Sequence, residues 1–350
     1  MQPTIATVGI PCMRDTRINL SHGGGGKAMR ALIDDVLART FGNNATEDHA
    51  TLPLADFARH GDRLAFTTDS YVVDPLFFPG SDIGALAVAG TVNDLAVGGA
   101  RPLYLSCGMV LEEGLPVETL QRVADSMRRM ADRAGVTIVT GDTKVVERGA
   151  ADKLFINTAG IGVIPAGIAL SAGNARPGDA VILSGTLGDH GVAILIARNQ
   201  LALEADVASD CQPLDGLVAA MLAVCPATRC LRDATRGGVA TVLNEFARAS
   251  RVGIHLRERA IPIRDPVRGA CEILGLDPLY LANEGKLVAV VPAQDADNVL
   301  AAMRVHTAGA DAAIIGEVTR EPANMVIMQT TFGGDRIVDM LVGEQLPRIC

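Results

Sequence analysis

The sequence predicts an α/β protein of two domains, and three observations carry that prediction. Its 350 residues exceed one ordinary domain and favour two of similar size, each able to bury a core. Apolar residues make up 49% with no Trp, three Tyr and eight Phe, so the core is built from Ala, Val, Leu and Ile, which excludes a disordered chain. Strand and helix patterns alternate through both halves, divided by the Gly-, Ala- and Pro-rich stretch PAGIALSAGNARPGD, read as a linker at about 165–178.

In chain order, SHGGGGK leads into a helix whose apolar face carries Met29, Leu32, Ile33, Val36 and Leu37. DRLAFTTDSYVV is a strand, DPLFFPGSD a turn and IGALAVAGTVNDLAVGGA a helix. PLYLSCGMVLE is the next strand, and Pro116 opens the helix PVETLQRVADSMRRMADRAG. VTIVTGDTKVV and KLFINTAGIGVI complete the first set of strands. After the linker come strand AVILSG, helices GVAILIARNQL and PLDGLVAAMLAV, turn RDATRGG, helix VATVLNEFARAS and strand GIHLRE. Helix RGACEILG, strand KLVAVVP, helix DADNVLAAMRV and strands AAIIGEV and NMVIMQT finish the second unit.

Net charge is -9, and no Lys/Arg block is long enough to track a phosphate backbone, which argues against nucleic acid as a partner. Seven cysteines without a CxxC pair give no metal knuckle, and their odd number fits a reducing compartment. The N-terminus has neither a signal-peptide shape nor a membrane-spanning run, so the expectation is a soluble, cytoplasmic protein without membrane attachment. Cys107 and Cys271 lie in apolar patterns and are expected in the core, whereas Cys225 and Cys230 are expected at the surface beside the RDATRGG turn.

Four acids stand at polar turns after apolar segments: Asp69 in TTDS, Asp94 in TVNDLA, Asp142 in VTGDTK and Asp233 in LRDATRGG. Carboxylates at neighbouring strand ends supply the hard oxygens that Mg²⁺ takes together with substrate phosphates. The set points to a metal–nucleotide site, although any single Asp at a turn is equally explained by bonds to nearby backbone N–H groups. SHGGGGK presents glycine N–H groups and Lys27 to a phosphate. It is not a P-loop, because the pattern fails at Ala28 and no strand precedes it, and a flexible cap over a site competes with the phosphate reading. His22 beside it is a base or phosphate donor on one reading and incidental on the other. TRGG at 235–238 opens a helix with Arg236 available to phosphate. Lys144 follows Asp142, and Glu284 in LANEGKL sits where a carboxylate is costly unless exposed or paired; both also fit ordinary surface positions. Cys350 closes the sequence behind Pro347 and Arg348 as an accessible, nucleophilic thiol or a chance exposed cysteine.

TTDSYVVDPLFFPGSDIG, GTVNDLA, VTGDTKVVERGAADKLFINTAGIG, SGTLGDHG, LRDATRGGVATVLNE, LANEGKL and LPRIC together resemble the carbamoyl dehydratase family of hydrogenase maturation proteins. That family lies in the superfamily of aminoimidazole ribonucleotide synthetase, selenophosphate synthetase and thiamine monophosphate kinase, and the likeness covers nearly the whole chain. It implies a two-domain α/β fold of the aminoimidazole ribonucleotide synthetase type, dimerising through the N-terminal sheet. The expected division is a flexible glycine-rich segment and first helix at 1–40, an ATP-binding domain at 41–165, a second α/β domain at 166–340 and a mobile tail at 341–350. The implied activity is ATP-dependent dehydration of a carbamoyl group on Cys350 to a thiocyanate, the source of the cyanide ligand of [NiFe] hydrogenase. A carbamoyltransferase is the implied donor and a two-protein iron scaffold complex the acceptor. Carried onto this sequence, Cys350, Lys144, Glu284 and His22 are the catalytic group, while Lys27, Asp69, Asn93, Asp94, Asp142, Asp233 and Arg236 bind ATP. Asp69, Asp94, Asp142 and Asp233 are the implied Mg²⁺ ligands. A small-molecule kinase or synthetase of the same superfamily, and a non-catalytic maturation scaffold, are the competing functions.

Overall fold

In the computed structural model the described residues are 13–42, 47–198, 206–343 and 349. The glycine segment leads into helix α1, made of Lys27–Leu32, a π-helical stretch Ile33–Ala38 and Arg39–Phe41. Gly24, Gly25 and Gly26 are exposed, and the chain on either side of them is packed. Ile18, Leu32 and Val36 join the main apolar cluster of the N-terminal half, because burial takes that face out of water.

The first sheet has strands β1 (Arg63–Tyr71), β2 (Arg101–Glu112), β3 (Thr137–Val146) and β4 (Leu154–Ile164), ordered β1-β4-β2-β3. β2 and β3 are parallel and the other pairs antiparallel. Helix α2 (Ile83–Val97) connects β1 to β2, its N-terminus capped by the Asp82 side chain, which accepts from the backbone of Gly84 and Ala85. Helix α3 (Val117–Ala134) lays Leu120, Val123, Met127 and Met130 inward and ends at Gly135 with φ +65°. α2 is apolar on almost every side because it lies between the first sheet and the second domain, buried from both directions.

The second domain runs β5 (Ala180–Leu183), α4 (Asp189–Ala197), α5 (Asp215–Val224), β6 (Cys230–Asp233), α6 (Gly238–Ser250), β7 (Gly253–Arg257) and α7 (Asp265–Leu274). It continues with β8 (Leu287–Val291), α8 (Ala296–Val305), β9 (Ala313–Thr319), β10 (Val326–Gln329) and β11 (Asp335–Ile337). The sheet order is β11-β10-β7-β9-β5-β8-β6, with only β7 and β10 parallel. Alternation divides the strands cleanly: Val181 and Leu183 pack with Leu243 and Phe246 of α6, while Ala180 and Ile182 face Leu217 of α5 and Met303 of α8. Helices cover both faces, so β5 and β8 are buried throughout and read as continuous apolar runs.

Two expectations need correction. Residues read as turns fall partly in short strands instead, Arg232 and Asp233 in Cys230–Asp233 at the sheet edge and Phe77–Phe78 against Ser81–Asp82, because two to four residues are too few to show a period. Cys225 and Cys230 are buried, as Cys107 and Cys271 are, and sit in the cores on the two faces of the second sheet. Among the described residues no helix is long and apolar enough to cross a membrane.

Candidate active site

Three of the four predicted acids converge where the domains meet. Asp69 comes from the end of β1, Asp94 from the last turn of α2 and Asp233 from the end of β6, and they line one small cavity with Tyr71, Arg236 and Glu284. Gly90 of α2 makes this possible, since a Cβ there would collide with the Tyr71 hydroxyl. Thr67 donates to Asp94 at 2.9 Å, and the Arg236 guanidinium stands 3.7 Å from Asp69. Burial and the neighbouring Asp94 and Asp69 push Asp233 up to about 7, and burial also raises Asp94. The cavity adjoins a groove of about 450 Å³ between β1 and α2 on one side and β6 and α6 on the other, bordered by Phe66, Thr67, Asp94, Ser171, Arg232 and Asp233.

Glu284 lies beneath these acids, 2% exposed, with Oε1 lacking a hydrogen-bond partner. Burial first, then Asp210, Asp233 and Asp69, hold its carboxyl well above the usual range. Its own N–H donates to Asp210 Oδ1 at 2.9 Å, and Asp210 Oδ2 faces the Lys286 ammonium at 3.5 Å in a nearly buried pair. The glycine of LANEGKL is required here, because a Cβ at Gly285 would run into the Asp210 carbonyl. The pocket is thus a buried acid with a free oxygen, set among other acids and balanced by one paired lysine.

Other predicted residues do not join it within one chain. Asp142 pairs across the sheet with Gly108, Asn157 and Ser70, the row next to Asp69 with Thr158, so its side chain lies on the opposite face from Asp69. Lys144, two residues on, shares that exposed face. The carboxylate quartet is therefore a trio in the monomer, and Lys144 and Glu284 are not neighbours. His22 is buried in its own turn, its Nδ1 accepting from Asn19 N–H at 3.0 Å and its Nε2 3.4 Å from Asp15, and it does not line the acidic cavity. Lys27 is exposed at the start of α1, outside the acidic cavity.

Asn93 is also reassigned. It is 1% exposed and clamps α2 to the second domain: Nδ2 donates to the carbonyls of Gln212 at 3.1 Å and Glu284 at 3.3 Å, and Oδ1 accepts from Leu214 N–H at 2.8 Å. With both amide N–H groups and its oxygen engaged between the domains, it lines neither the acidic cavity nor the groove. Cys350 lies outside the described residues, but Ile349 is buried and its carbonyl accepts from His190 Nε2 at 2.8 Å. Asp210, Lys286 and His190 went unassigned from sequence. The second and third stand inside the quoted motifs LANEGKL and SGTLGDHG, where polar residues amid glycine and apolar neighbours were the available signal.

A family model described as AIR synthase related protein, N-terminal domain, matches residues 46–164, and the corresponding C-terminal domain model matches 176–329. The chain is 57% identical over 338 residues to the carbamoyl dehydratase HypE of Rhodobacter capsulatus, spanning 97% of this chain and 99% of that one. Among solved structures it is similar to hydrogenase maturation protein HypE in complex with ATP, at 50% identity and TM-score 0.89 over 95% of this chain and 99% of that chain. It is also similar to a chain of a HypE–HypF complex, at 50% identity and TM-score 0.77 over 79% of this chain and 90% of that chain.

Proposed function

The chain belongs to the carbamoyl dehydratase HypE family, and from that premise we propose how its residues turn a carbamoyl group on Cys350 into a thiocyanate. The reaction is ATP-dependent and serves hydrogenase maturation by supplying the cyanide ligand. The observation that carries the residue assignment is the seat of Ile349. The peptide joining it to Cys350 is held by His190, a ring that feels the charge of Asp210, and Asp210 in turn contacts the backbone of Glu284.

The thiocarboxamide loses its oxygen and two N–H protons. ATP supplies the phosphoryl group that lets this oxygen leave as phosphate, and a Mg²⁺ ion, when bound, would offset the charge of the phosphates. Glu284, buried with one free oxygen beside the acidic cavity, is assigned the exchange of a proton with the carbamoyl nitrogen. Lys286 and Asp210 hold its backbone in place and balance the charge. The groove beside Asp94 and Asp233 is assigned to the nucleotide, and Arg236 at its rim to phosphate.

The donor set fits a cation in one respect: burial first, then the carboxylate of Asp69 beside Asp94 and those of Asp94 and Asp69 beside Asp233, raise both groups, and a divalent ion would relieve that cost. Among the described residues no three acid, His or Cys side chains are close enough to hold a metal by themselves, so Asp69, Asp94 and Asp233 would share it with phosphate oxygens. We further assign dimerisation to the outer face of the first sheet, where Leu64 and Phe66 are 62% and 70% exposed. Asp142 and Lys144 share that face and are assigned to the boundary with the second copy. A carbamoyltransferase of the HypF kind is assigned as donor, the two-protein iron scaffold as acceptor.

Intact-mass analysis tests the reading. Incubation with the carbamoyl donor system should add one carbamoyl group, and ATP should then remove one water, neither occurring in Cys350→Ala. An unmodified chain that turns over a free metabolite would refute it.

A further inference from the structure

His190 is fully buried at the first turn of α4, and the steps above give it no proton to move. A carbonyl oxygen can only accept, so the 2.8 Å contact with Ile349 places the ring proton on Nε2. Nδ1 is then an acceptor, and Ser209 Oγ lies 2.8 Å from it as the hydroxyl donor. Ser209 is itself fixed, its N–H donating to the Pro79 carbonyl at 2.8 Å and its Oγ accepting from Cys211 N–H at 3.1 Å. Phe78 packs edge-on against the imidazole, with centroids 5.5 Å apart. Ile349 is 7% exposed and belongs to the same apolar cluster as Phe78, Ile194 and Cys211.

These contacts make a receptor for one peptide group. If Ile349 departs, a buried N–H in an apolar surround loses its acceptor, which disfavours departure by about tenfold. Burial lowers the basicity of the ring and favours the neutral form with a single N–H. Because the bond goes to the backbone, it sets register along the tail, while the Ile349 side chain supplies apolar anchorage.

We propose that His190, its tautomer set by Ser209, is a positioning residue that seats the Ile349–Cys350 peptide for dehydration. The proposal rests on the carbamoyl dehydratase reading and adds to it the group that holds the substrate-bearing arm.

The test uses the full chain with His190→Leu, His190→Gln, Ser209→Ala and Ile349→Asp. One readout is the rate of Cys350 alkylation by iodoacetamide, located by peptide mass. The second is the single-turnover rate of thiocyanate formation after carbamoylation, on adding ATP and Mg²⁺. His190→Leu is expected to speed alkylation about tenfold and slow dehydration by a similar factor, with ATP affinity unchanged. Gln retains both a donor and an acceptor and should restore most of both rates, and Ser209→Ala should fall between. Ile349→Asp alters only the tail side of the contact, so it should reproduce the Leu result even where Leu fails to fold. Parental alkylation and dehydration rates in folded His190→Leu and in Ile349→Asp would overturn the proposal. If the parent forms no thiocyanate, the functional reading fails, while the alkylation comparison still decides whether His190 seats the tail.

Discussion

Asn93→Ala distinguishes a residue that binds nucleotide from one that ties two domains together. The substitution leaves the Leu214 N–H without the acceptor it had at 2.8 Å, and it removes the donor from the Gln212 and Glu284 carbonyls, which had been 3.1 and 3.3 Å away. An orphaned buried N–H costs about 1–3 kcal/mol, and the shorter carbonyl bond contributes about 1 kcal/mol. The 3.3 Å contact adds little. The expected loss is therefore about 2–4 kcal/mol, read as a lower urea midpoint followed by far-UV circular dichroism. Both domains share the apolar cluster that contains Ile194, Cys211 and Ala282, so loosening their contact should bring that midpoint down rather than merely open a surface. Asn93→Asp should be worse, because an oxygen would then face both carbonyls. An alanine variant with the parental midpoint and no ATP binding would refute the clamp and restore Asn93 to the nucleotide site.

Glu284→Gln should abolish dehydration in the single-turnover mass assay. It should also make the fold more stable than the parent by a margin that grows as pH rises above 4.5. The reason is that the raised carboxyl keeps its proton in the folded chain but loses it on unfolding, so its contribution is favourable in acid and fades as pH climbs towards the folded pKa. Urea midpoints at several pH values check this, and a margin independent of pH would count against it. Lys286→Met should cost about 3 kcal/mol or more by the same method, since it leaves Asp210 buried without its cation, and Asp210→Asn in the same chain should recover part of that loss. Asp233→Asn should weaken Mg–ATP binding by about tenfold or more in calorimetry, while Asp142→Asn should have no comparable effect in a form of the protein held monomeric.

Much of the site was visible as residue types at segment ends. Asp69, Asp94 and Asp233 each follow an apolar run, and the structure brings them into one cavity. Asp142 carries the same local signature but lies on the other face of the sheet. The alternation of Thr143 and Val145 inward with Asp142 and Lys144 outward is present in the sequence, yet it does not say which face α2 covers. Asn93 shows the reverse difficulty. A lone amide on an apolar helix reads as a ligand-binding group until the backbone atoms of residues 212, 214 and 284 are seen around it. His22 had a glycine cluster beside it and proved to cap its own turn.

By itself the sequence determined the α/β class, the alternation of the longer strands and helices in both halves, and the apolar runs that become α2, β5 and β8. Those features follow from composition and from periods that repeat within ten or fifteen residues. Only the tertiary structure decided which acids share a cavity, that Glu284 keeps an unpartnered oxygen, and that His190 meets the carbonyl of Ile349, 159 positions away. The physical reason is that such meetings depend on how α2 packs between two sheets. Burial of apolar area drives that packing without direction, and no local period records which polar atoms it brings within hydrogen-bonding distance.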